Sequence, residues 1–134
     1  MGMRIGELAK RAGCQPETIR FYEQKGLLPA PIRSEANYRL YDTIHAERLQ
    51  FIRRCRALGM SLDEVQILLG FQDHPEKSCD GVNDLVDEHL REVDRQIADM
   101  QSLRQQLSSL RSSCDSAREA KDCEILKQLN ELSR

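Results

Sequence analysis

Tryptophan is absent from this sequence, and only three phenylalanines and three tyrosines supply aromatic surface. Charged residues make up 31% of the 134 positions, a balance that favours a mostly helical chain with a modest core and much solvated surface. No apolar run approaches the roughly 18 residues of a membrane span. The opening MGMRIGELAKRAG is too charged and too poor in apolar residues for a signal peptide. A cytoplasmic protein with no membrane partner is therefore expected. There is no CxxC pair, no Gly-rich cofactor loop and no Ser/His/Asp arrangement, so nothing supports an enzyme. The five cysteines stand at 14, 55, 79, 114 and 123. An odd count argues against a disulfide framework, leaving metal binding, catalysis or burial.

The net charge of −2 hides an asymmetry. Residues 1–60 hold eleven Lys/Arg against six Asp/Glu, and residues 61–134 hold nine against sixteen. A basic first half and an acidic second half point to contact between the first half and a polyanion; chance clustering on two solvated faces is the bland alternative.

Local signals divide the chain further. IGELAKRA (5–12) puts Ile5, Leu8, Ala9 and Ala12 on one helical face, and Gly13 can stop that helix. Pro16 suits the start of a second helix, PETIRFYEQK, that ends at Gly26. Two short helices around a tight turn are a helix-turn-helix pattern. Residues 27–41 carry two prolines and no helical period, and Asn37–Tyr41 alternates like a short strand, so this stretch reads as a wing. Asp42 can cap a helix over 43–58 with Leu49, Ile52 and Cys55 inward, and Ser61 with Glu64 forms a capping box for a helix reaching about Gly70. Cys14 and Cys55 read as small buried hydrophobes.

Residues 72–80, QDHPEKSCD, look like a linker. Beyond Gly81, up to Ser112, neither Pro nor Gly occurs. Val82, Val86, Leu90, Val93, Ile97, Met100, Leu103, Leu107 and Leu110 recur there at steps of three and four, a coiled-coil seam on a helix of roughly 45–50 Å. A small head cannot cover that stripe, and a second copy of the chain is the simplest partner. A polar loop over 113–123 and a short amphipathic helix over 124–132 follow. The expected fold is mainly α, with a head (1–72), a linker (73–80), a long dimerisation helix (81–112) and a terminal loop and helix (113–134).

MRIGELAKRAGCQPETIRFYEQKGLL, NYRLY and HAERLQFIRRCRALGMSLDEV together resemble the MerR family of metal- and stress-responsive regulators. SCDGVNDLVDEH and CEILKQL look most like its lead- and cadmium-responsive branch; the mercury branch shares the cysteine spacing. The resemblance implies a winged helix-turn-helix head and an antiparallel coiled-coil homodimer on promoter double-stranded DNA. It also implies activation by distorting DNA so that both promoter boxes face RNA polymerase.

On that resemblance the second helix lies in the major groove, and Thr18, Arg20 and Tyr22 match the family's contact positions. Arg20 can bond phosphate or guanine. Asn37, Tyr38, Arg39 and Tyr41 in the wing, and Arg54 after it, are placed for contact with the DNA backbone. Phe21 is assigned to the core, and His45 and His74 to the surface.

Thiolates bind soft cations strongly. Cys79 precedes the long helix, Cys114 follows it, and Cys123 comes nine positions later. Some 50 Å of helix keeps Cys79 and Cys114 of one chain from sharing an ion. In the antiparallel dimer that the resemblance implies, Cys79 of one copy joins Cys114 and Cys123 of the other. Three sulfurs suit Pb(II), the favoured ion, or Hg(II); Cd(II) and Zn(II) usually want a fourth ligand, which water, Asp115 or Asp122 could supply. His89, near the seam, reads as buried in the coiled coil. A thiol-based metal buffer or carrier is the alternative function.

Overall fold

The computed structural model describes residues 2–131. Helix α1 spans Ile5–Ala12 and buries Leu8, Ala9 and Ala12. It ends where Gly13 turns left-handed at φ +70°. There the guanidinium of Arg53 donates to the Ala12 carbonyl at 2.5 Å, and a Cβ on residue 13 would lie 2.7 Å from that same nitrogen. The left-handed backbone favours glycine there, and a Cβ would in addition push the Arg53 guanidinium from its place. Helix α2, Pro16–Gln24, opens on proline and buries Ile19 and Tyr22.

The wing is a minimal hairpin. Strands β1 (Ile32–Arg33) and β2 (Arg39–Leu40) pair antiparallel, Ile32 opposite Leu40 and Arg33 opposite Arg39. The expected strand over 37–41 is shorter because Asn37 sits in the turn at φ +68°. That turn is held by the Asn37 N–H donating to the Ser34 carbonyl and the Tyr38 N–H donating to the Ser34 hydroxyl. Tyr41 and Met3 exchange backbone hydrogen bonds of 2.8 and 2.7 Å, pinning the start of the chain beside the exit of the wing.

Helix α3, Thr43–Ala57, begins at a capping box. The Asp42 carboxylate accepts from the Thr43 N–H at 2.6 Å, and His45 Nδ1 accepts from the Asp42 N–H at 2.9 Å. His45 was assigned to the surface and is instead buried, with Nε2 3.1 Å from the Pro29 carbonyl and its ring edge-on to Tyr41. Both ring nitrogens have partners, which makes burial of this polar ring tolerable. Helix α4, Leu62–Gln72, starts on the Ser61–Glu64 capping box and runs two residues past Gly70. Leu8, Ile19, Tyr41, Leu49, Ile52 and Val65 form the driest part of the core.

Helix α5 spans Asp80–Ser112, 33 residues. Its first turns belong to the head. Val82 and Leu85 pack against the head core, a Cβ on Gly81 would overlap the Phe71 ring, and the first compact unit ends at Leu85. The linker over 73–80 therefore does not separate the two units; the division falls within α5. In the second unit, Leu90, Ile97, Met100, Leu103 and Leu107 are each about half exposed or more. Away from that stripe, Arg91 pairs with Glu88 and Arg95 with Glu92 one turn apart. After a turn at Ala120–Asp122, helix α6 covers Glu124–Asn130. The expected end of this helix at Leu132 lies outside the described residues. Among those described, no helix is long and apolar enough to cross a membrane.

Candidate DNA-binding face and metal centre

Three separate segments of the head meet in one open cleft. Arg4 comes from just before α1, Arg20 from α2, and Arg33, Asn37, Tyr38 and Arg39 from the wing. Four guanidinium groups in one cleft provide the fixed positive field and the forked donors that phosphate recognition uses. The Arg4 guanidinium stacks 3.9 Å above the Tyr38 ring centroid, so the exposed ring helps to hold a cation in place. Arg20, Asn37, Tyr38 and Arg39 are exposed and Thr18 is half-buried; Arg54 is exposed on α3, where it donates to Gln50 at 3.4 Å.

Two expected contacts turn inward. Tyr41 has no exposed surface, and its hydroxyl donates to Oε1 of Glu23, so its side chain serves the core rather than DNA. Burial, and then the bond to Glu23, push its pKa from 10.0 up to about 12. Tyr22, also expected at the DNA, is packed in the core with 9% of its surface exposed, whereas Phe21, assigned to the core, is 42% exposed with Lys25 above its ring. Neighbours on a helix point about 100° apart, and the face of α2 that packs on α1 and the head core selects Tyr22. Arg4, Arg33 and Glu23 were missed. The alternation of Arg33 and Arg39 across the hairpin is a signal that could have found Arg33; nothing local marks Glu23.

The thiols fall into two groups. Burial raises the pKa of Cys14, with Arg53 opposing, and burial raises that of Cys55. Both sulfurs pack with the core and stay protonated. Cys123 shifts the other way. It immediately precedes α6, and the Leu126 N–H holds its thiol below the ordinary value, aided by the Ile125 N–H and the Cys114 thiol. Cys114 is within hydrogen-bond reach of Cys123, and its sulfur lies 3.5 Å from the Ser116 carbonyl. Arg111 donates to the Cys114 carbonyl at 2.9 Å, anchoring the loop to the end of α5. Two adjacent sulfurs, one of them biased toward thiolate, fit a soft cation. Cys79 is exposed at the entrance to α5, where its carbonyl accepts from the Asn83 N–H. Among the described residues no three His, Cys, Asp or Glu side chains of a single chain converge.

A winged helix-turn-helix head with a basic cleft, followed by a long helix with an uncovered apolar stripe, defines a DNA-binding regulator rather than an enzyme. Residues 3–71 match the MerR HTH family of regulatory proteins, and residues 46–110 match the family described as MerR, DNA binding. The chain belongs to the MerR family. It is similar to the transcription regulator PbrR691 of Ralstonia metallidurans CH34, solved in complex with lead(II), at 54% identity and a TM-score of 0.87 over 95% of this chain and 98% of that one. The mercury(II)-bound MerR of Bacillus megaterium MB1 is 32% identical with a TM-score of 0.76, covering 96% of this chain and all of that one. The regulator ZntR of Escherichia coli K12 is 39% identical over 96% of this chain and 92% of its own length.

Proposed function

We propose that this regulator binds promoter DNA as a homodimer and activates transcription when a soft divalent metal, Pb(II) in preference to Cd(II), Hg(II) or Zn(II), engages Cys79 of one copy with Cys114 and Cys123 of the other. The observation that carries the reading is the placement of the thiols: Cys79 is exposed at the start of α5 and Cys114 and Cys123 are partly exposed in the polar terminal segment, while Cys55 is buried in the head core and Cys14 packs against it. Similarity to lead-bound PbrR691 supports the choice of ion. Membership of a regulator family leaves a thiol buffer or carrier without support.

Arg4, Thr18, Arg20, Arg33, Asn37, Tyr38, Arg39 and Arg54 form the proposed DNA face. The exposed stripe on α5 is the proposed seam with the second copy, because an unpartnered row of Leu, Ile and Met is costly in water. An antiparallel seam sets the start of one α5 beside the end of the other and completes the sulfur set. Bound there, the ion would link the two copies through strong metal–thiolate bonds. Cys114 and Cys123 hold the terminal loop against the partner's α5, and the heads shift on DNA already held by RNA polymerase. This is allostery only if the two DNA geometries bind metal unequally.

Mixed dimers provide the test. A Cys79→Ser chain and a Cys114→Ser/Cys123→Ser chain each lack a full site as homodimers, yet their heterodimer retains one if sulfurs are shared between copies. Pb(II), Cd(II), Hg(II) and Zn(II) are titrated while thiolate-to-metal absorption and transcript yield are followed together. Recovery of one site per heterodimer is expected, with the steepest response to Pb(II). A heterodimer as silent as its parents refutes the shared site.

A further inference from the structure

One arginine of the cleft, Arg39, is paired with a carboxylate whose sign is wrong for meeting phosphate. Glu23 lies in the last turn of α2, with its side chain only 13% exposed. Its Oε2 receives the Arg39 guanidinium at 3.4 Å, and its Oε1 receives the Tyr41 hydroxyl. Arg39 lies on the return strand of the wing and Tyr41 at its exit, where the backbone is already bonded to Met3. One carboxylate thus joins the helix that bears Arg20 to the strand that bears Arg39, and both arginines line the same cleft.

We propose that Glu23 is a positioning residue for sequence recognition, clamping the wing to α2 so that Arg20 and Arg39 are presented to DNA at one set spacing. The proposal rests on the reading that α2 and the wing face DNA. It makes a prediction opposite to that of charge alone. Removing a negative charge from a basic surface should strengthen binding to any DNA and steepen its salt dependence. Releasing a clamp should instead weaken binding to the correct sequence and leave binding to other sequences undiminished, because non-specific binding needs charge but not register.

The probe is a duplex selected by the wild-type protein from a randomised pool, set against a scrambled duplex of the same composition. Anisotropy titrations at two salt concentrations compare wild type, Glu23→Gln, Tyr41→Phe, the double variant and Arg20→Ala, with thermal melts to confirm folding. Tyr41→Phe keeps the buried ring and removes only the hydroxyl, so it tests the clamp even if Glu23→Gln folds poorly. Both single variants are expected to lose roughly tenfold on the selected duplex, about the effect of one misplaced contact. Neither should weaken on the scrambled one. The double variant should lose little more than the worse single variant, since both break one link. Tighter binding of Glu23→Gln to both duplexes, or an equal loss on both, overturns the clamp. An unchanged Arg20→Ala protein overturns the DNA-facing reading beneath it, whereas a weakened Arg20→Ala with normal Glu23→Gln and Tyr41→Phe overturns the clamp alone.

Discussion

The hydroxyl of Tyr41 donates to the carboxylate of Glu23 across 18 residues of sequence, joining the exit of the wing to the last turn of α2. A buried phenol with that partner stays protonated far into the alkaline range.

The first prediction follows from the sign of that shift. The pKa of Tyr41 is about 12 in the folded protein against 10.0 for an ordinary tyrosine, so the folded state holds the proton more tightly. The resulting stabilisation is fully present below pH 10 and is lost as pH rises through 12. Alkaline denaturation followed by circular dichroism should show this component in the wild type and its loss in Tyr41→Phe. Identical alkaline profiles would contradict it.

Thiol reactivity should separate the cysteines. Thiolates alkylate and thiols hardly do. A short pulse of iodoacetamide on metal-free protein at neutral pH, read by mass spectrometry, is expected to label Cys123 well before Cys14 and Cys55. Prior addition of Pb(II) should protect Cys123 and leave the labelling of Cys14 and Cys55 unchanged. Early labelling of Cys55 would mean that its burial is misjudged.

Gly13→Ala should destabilise the head. The left-handed backbone at φ +70° costs a non-glycine residue about 1–2 kcal/mol. The added Cβ also displaces the Arg53 guanidinium that caps the Ala12 carbonyl. Gly26→Ala, with a similar φ and open space around it, should cost less. Urea midpoints for the two variants check the order, and equal losses would show that crowding by Arg53 contributes nothing.

Charges placed in the α5 stripe should dissociate the dimer. Leu90→Asp or Ile97→Asp forfeits about 2 kcal/mol of apolar burial per copy, raising the dimer dissociation constant on the order of several hundredfold. Sedimentation velocity over a concentration series reads this directly. Glu88→Gln, on an exposed residue paired with Arg91, should leave the constant nearly unchanged.

Much of the fold was legible because its signals are local. Asp42, the Ser61–Glu64 pair, Pro16 and Gly13 each act on backbone groups a few residues away, and each marks a helix end close to where the structure has it. His45 was legible in part. It lies four positions before Leu49 and seven before Ile52, so the helical period points it inward, but its polarity suggested the surface. The cleft was half legible: Arg20, Tyr38 and Arg39 stand in stretches read as the second helix and the wing, whereas Arg4, at the start of the MRIGELAKRAG stretch, precedes the first helix and nothing local points it toward them.

The sequence by itself determined where helices begin and end, the uncovered stripe along α5, and which thiols sit in polar surroundings, since all three depend on residue type and spacing along one strand of chain. Only the tertiary structure decided that Tyr22 and Tyr41 turn inward while Phe21 turns outward, that Arg4 and Arg33 join Arg20, and that Glu23 holds the wing. These outcomes depend on which surfaces meet when segments 16 or 18 residues apart fold against each other, and no short-range pattern encodes that packing.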